Sequence, residues 1–127
     1  MKLALLLLFV SCVLWSGCSP KDLLPNNTWS QGCAEFAPYQ GTYRLSGLCC
    51  TNIVFPQISL DKNQSFSVKA TYYTFNGAGT INFPLVVDGK LSPDRKILAL
   101  SYSINSALTI HTLKLGRPIV SCDCGCD

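Results

Sequence analysis

The sequence predicts a small all-β domain, an antiparallel meander closed or partly closed into a barrel and stapled by disulfides. Three observations predict it. Apolar residues recur with a period of two through most of the chain after Tyr39, turn-forming residues separate those runs, and cysteines cluster towards the two ends of the mature sequence. The chain has 127 residues, 48% hydrophobic and 13% charged. That is too apolar for a disordered chain and long enough for one small domain. Its formal charge of +3 forms no basic stripe, which argues against nucleic acid as a partner.

At the N-terminus, Met1 and Lys2 precede an apolar run from Leu3 to Trp15 that is interrupted only by Ser11 and Cys12. The run falls short of the about 20 apolar residues a spanning helix needs, and with its charged start it has the layout of a secretory signal peptide. Leu14-Trp15-Ser16-Gly17-Cys18 resembles the lipobox of bacterial lipoproteins, with Trp15 standing where that family has an aliphatic residue. The resemblance implies cleavage after Gly17 and diacylation of Cys18. Residues 1–17 are then a lipoprotein signal peptide, and the lipid anchors the protein to a membrane of the bacterial cell envelope, the outer membrane. Ordinary signal cleavage, with Cys18 left as a thiol or disulfide partner, is the alternative. Parity favours the lipid, because removing Cys12 and Cys18 leaves six cysteines, an even number.

Residues 18–38 hold Pro20, Pro25, Pro38, Asn26-Asn27 and Gly32 without a sustained period, and read as a tether. Residues 39–121 read as the β domain, with six or seven strands. The first two are expected at 42–48 and 57–60. In the next, Phe66, Val68, Ala70 and Tyr72 alternate with polar residues. Ile81, Phe83, Leu85 and Val87 follow, with Pro84 suggesting an edge or a bulge. Leu98, Leu100, Tyr102 and Ile104 mark another strand, and Leu108, Ile110 and Thr112 alternate with Thr109, His111 and Leu113 in the last. The expected core includes Phe66, Val68, Ile81, Phe83, Leu98, Leu100 and Ile110. Turns are expected at 61–64, 76–79, Asp88-Gly89, 92–94 and 116–118, where Gly, Asn and Asp supply positive φ and local hydrogen bonds.

The remaining cysteines are Cys33, Cys49 and Cys50 on one side and Cys122, Cys124 and Cys126 in the tail 122–127. Adjacent residues lie about 3.8 Å apart at Cα, too close for a relaxed bridge, so Cys49 and Cys50 are not expected to pair. In an extended tail, alternate cysteines stand about 6.6 Å apart, which disfavours pairing there as well. The simplest arrangement bridges the tail to the early cluster and packs it on the domain. A thiolate site for a soft metal ion in the tail is the alternative, and an oxidising compartment argues against it.

No catalytic constellation is legible, and no cofactor or resident metal is expected. His111, the one histidine, lies mid-strand and reads as an outward or partly buried structural residue. Asp61, Asp88 and Asp94 read as turn residues, and Gly77-Ala78-Gly79 has no following helix to make a phosphate loop.

Gly41-Thr42-Tyr43-Arg44-Leu45, Ile58-Ser59-Leu60-Asp61 with Phe66, and Asp88-Gly89-Lys90-Leu91 resemble, in that order, landmarks of META-domain and lipocalin-like bacterial lipoproteins. Phe75-Asn76 stands where the META pattern has Cys-Asn. The resemblance implies a β-barrel-like fold in the cell envelope and no enzyme activity. The function expected is non-enzymatic, structural or binding, for a protein or small-ligand partner. A carrier of a small apolar ligand and a metal-binding envelope protein are the alternatives.

Overall fold

The computed structural model describes residues 22–126, and all its regular elements are strands. They are β1 (Asp22–Leu23), β2 (Trp29–Gln31), β3 (Ala34–Tyr39), β4 (Thr42–Ser46) and β5 (Thr51–Phe55), then β6 (Ser59–Leu60), β7 (Ser65–Phe75), β8 (Thr80–Leu91), β9 (Ile97–Ile104) and β10 (Ala107–Leu115). Eight of them close an antiparallel barrel in the order β10-β2-β3-β4-β5-β7-β8-β9, and β1 pairs with β6 as a separate ribbon. The expected all-β barrel is the fold observed.

Three expectations need correction. The segment expected as a tether contributes β1, β2 and most of β3, with Trp29 and Phe36 fully buried. Its prolines do not break the barrel, because Pro25 precedes β2 and Pro38 is an exposed residue near the end of β3. Asp88-Gly89 is not a turn but lies inside β8, and Gly89 is buried there. A Cβ at that position would fall inside the Phe66 ring, so the glycine is required for space rather than for backbone freedom. Third, β10 presents the opposite face to the one expected. Leu113 is fully buried while Leu108 and Ile110 are 65% and 61% exposed. The segment 1–17 expected as a signal peptide and Cys18, expected to carry the lipid, lie outside the described residues.

Two-residue turns fix much of the register. Gln40-Gly41 and Asn105-Ser106 each have positive φ at both positions, which matches the right-handed twist of the strands they join. At Gly47, between β4 and β5, positive φ combines with close approach to the Cys33 carbonyl, so no side chain fits.

The two ends of the barrel differ. At one end Leu24, Ile58 and Leu60 from the β1–β6 ribbon and its flanks are buried beneath the barrel and form a floor. The Tyr43 hydroxyl donates to the carbonyls of Leu24 and Pro25 and ties the incoming chain to that floor. Above it Phe36 stacks on Tyr43 with ring centres 4.8 Å apart and meets Phe55 edge-on at 5.1 Å. With Leu45, Ile53, Leu98, Leu100 and Leu113 fully buried, the lower half of the barrel is filled.

Candidate functional site

The upper half of the same interior is not filled by aliphatic side chains. Strand alternation points Thr51 of β5, Tyr72 and Thr74 of β7, Phe83 of β8, Tyr102 of β9 and His111 of β10 into it. Of these only Tyr102 is buried, and the others are partly exposed. Tyr72 stacks on Phe83, ring centres 4.7 Å apart, because the two are direct cross-strand partners. Thr51 Oγ1 donates to Thr74 Oγ1 at 3.3 Å and lies 3.5 Å from the Tyr72 hydroxyl. On the facing wall the Tyr102 hydroxyl and His111 Nε2 are hydrogen-bonded at 2.9 Å. Ile81 shares this inward phase but sits at the rim, 49% exposed, so it belongs to the mouth rather than to the expected core.

These groups are uncharged at neutral pH. Burial lowers the basicity of His111 and holds its imidazole neutral. Burial also pushes the Tyr102 phenol up to about 12, and the neighbouring Tyr72 phenol adds to the rise. Among the described residues no charged side chain is buried. The mouth therefore offers ring faces and neutral hydrogen-bonding groups, a chemistry suited to an uncharged amphipathic molecule.

An opening in the barrel wall leads to this region. β7 and β8 pair over eleven residues, whereas β8 and β9 pair only from Asp88↔Ser101 to Leu91↔Leu98. Above Asp88 the two strands diverge, and Pro84, which cannot donate to a ladder, stands exposed on the free edge of β8. The cleft between them has a volume of about 520 Å³ and is lined by Tyr72, Thr74, Phe83, Leu85 and Ile104.

The cysteines occupy the same end of the molecule on the opposite wall. Cys33 pairs with Cys122, Cys49 with Cys124 and Cys50 with Cys126, with Cα separations of 5.8, 5.2 and 5.3 Å. Every bridge thus crosses between the clusters. The tail leaves β10 at the floor, where Gly116 donates to the Thr28 carbonyl, and residues 117–120 run past Ser30, Gln31 and Thr112. It therefore straps the β10–β2 seam, where only Lys114↔Ser30 and Leu115↔Trp29 pair and the Gln31 side chain accepts from the Thr112 amide. Among the described residues no cluster of three His, Cys, Asp or Glu side chains is placed to hold a metal ion.

Reading the sequence missed the inward phase of His111 and its meeting with Tyr102. A signal was present in Asn105-Ser106. A two-residue turn there pairs Ile104 with Ala107 and puts Leu113 on the same face as Leu98, with His111 alongside it. Comparison with protein-family models, with curated proteins and with solved structures returned no match.

Proposed function

We propose that the protein is a non-enzymatic binding protein of the bacterial cell envelope, anchored through a lipid on Cys18, that takes a small uncharged amphipathic ligand in the mouth of its barrel. One observation carries the ligand reading. The inward side chains are buried at the floor and become half-exposed, aromatic and hydroxyl-bearing at the mouth, beside a gap in the wall. Tyr72 and Phe83 supply a stacking platform for a planar or ring-bearing group. The Thr51–Thr74 and Tyr102–His111 pairs supply hydrogen bonds for a carbonyl or hydroxyl on the same molecule. The anchor rests on the match of Ser16-Gly17-Cys18 to a lipobox and on cysteine parity.

The ligand reading is tested by titrating the purified protein with the uncharged fluorophore N-phenylnaphthylamine. Saturable binding is expected, weakened about tenfold by Phe83→Ala, with Val86→Ala on the outer face as a control that leaves it unchanged. Equal affinity in all three proteins would overturn the site. The anchor is tested by the intact mass of the protein extracted from membranes. A diacylglyceryl adduct is expected, and its absence would leave a secreted protein with the same barrel.

A further inference from the structure

The charges of the barrel are segregated by end. Lys62, Arg95, Lys96, Lys114 and Arg117 are all exposed on one arc of the floor rim, at the turn into β7, the β8–β9 turn and the end of β10. Leu115 donates to the Lys96 carbonyl and Leu91 to the Gln64 carbonyl, which joins these three segments into one surface. Of the acids at this end, Asp61 and Asp94 are tied to their own turns, and Asp22 lies in β1 opposite Leu60. Asp61 accepts from the amides of Asn63 and Ser65, and Asp94 from the Ser92 hydroxyl and the Lys96 amide. Residues 47–51, 76–80, 104–107 and 122–126 at the mouth contain no lysine or arginine. Exposed apolar residues border the cations, with Ile97 40% and Leu115 47% exposed.

We propose that this floor rim is a docking surface for a membrane rich in anionic phospholipid. Five cations against three acids, Asp22 of β1 included, on a rim with interspersed apolar side chains complement a layer of anionic headgroups over acyl chains. The interaction does not depend on the ligand reading or on the lipid. It agrees with an anchor, because Asp22 lies in β1 beside the floor and Cys18 precedes it by four residues, a reach of at most about 14 Å. Docked in this way, the floor rests on the membrane and the mouth opens away from it.

The test uses the oxidised protein beginning at Ser19, so that neither the apolar run 3–15 nor acylation of Cys18 can supply the attachment, sedimented with vesicles of phosphatidylcholine alone or mixed with phosphatidylglycerol. Binding is expected only to the anionic vesicles, and it should weaken several-fold as salt is raised. Lys96→Glu with Arg117→Glu should reduce it by about tenfold or more, whereas Lys69→Glu on the barrel wall should change it little. Because all three residues are exposed, unchanged melting temperatures should accompany these effects. Equal binding to neutral and anionic vesicles, or equal loss from Lys69→Glu, would overturn the proposal. Lipidation of Cys18 is read separately from the mass of the wild-type protein, so either idea can fail without the other.

Discussion

His111 reaches into the barrel and meets the Tyr102 hydroxyl, and burial lowers its basicity. The unfolded chain, with its imidazole near the ordinary value of about 6.5, binds a proton that the folded chain resists. Stability is therefore full above that range and is lost as the pH falls through it towards the lower folded value. Melting temperatures between about pH 8 and about pH 5 should fall in the wild type and much less in His111→Gln. Asp94, whose carboxyl the Ser92 hydroxyl holds low, adds a loss only at more acidic pH, below about 4. Gly89 makes a second test at this scale. Gly89→Ala places a methyl group in the Phe66 ring and should cost about 1–3 kcal/mol in denaturant unfolding. Trimming the ring with Phe66→Leu should make the same change markedly less costly, and purely additive losses would show that the two sites do not interact.

The strap formed by residues 117–126 is fastened as the cysteine clustering leads one to expect. It crosses the seam with two residue pairs and fastens to Cys33, Cys49 and Cys50 on the far side. A chain ended after Val120 should therefore be strongly destabilised, because one bridge closing a loop of this span contributes about 4–5 kcal/mol on the chain-entropy model. Reducing agent should lower the melting temperature of the full-length protein and barely move that of the truncated one. The early-to-late pairing of the cysteines was legible because adjacency and alternation exclude the pairings within each cluster. The long strands β7, β8 and β9 were legible for a similar reason, since each carries four alternating apolar residues. The strands β2 and β5 were not. Each is short, and its inward residues, Trp29 in one and Ile53 and Phe55 in the other, are too few to make a period. For β10 the apolar Leu108 and Ile110 outweighed His111 and Thr109 as a guide to the buried face. An open mouth reverses that guide, because its inner wall is polar.

At the scale of the whole molecule, the barrel is strongest where hairpins supply long ladders and weakest where β8 leaves β9 above Asp88. Hydrogen exchange should find this seam first. Amides on the facing edges of residues 80–87 and 102–104 should exchange far faster than those within the β7–β8 ladder, and a ligand in the cleft should slow them. The mouth, the cleft and the cysteine bridges all lie at the end opposite the basic rim, so the proposed ligand site and the proposed docking surface do not overlap. The bridges also set an order of events. Cys33, Cys49 and Cys50 leave the ribosome 89, 75 and 76 residues before their partners Cys122, Cys124 and Cys126, which at about 5–20 residues per second is an interval of about 4–18 seconds. Throughout that interval a correct partner exists for none of them. No native bridge can therefore form until residues 122–126 have been made.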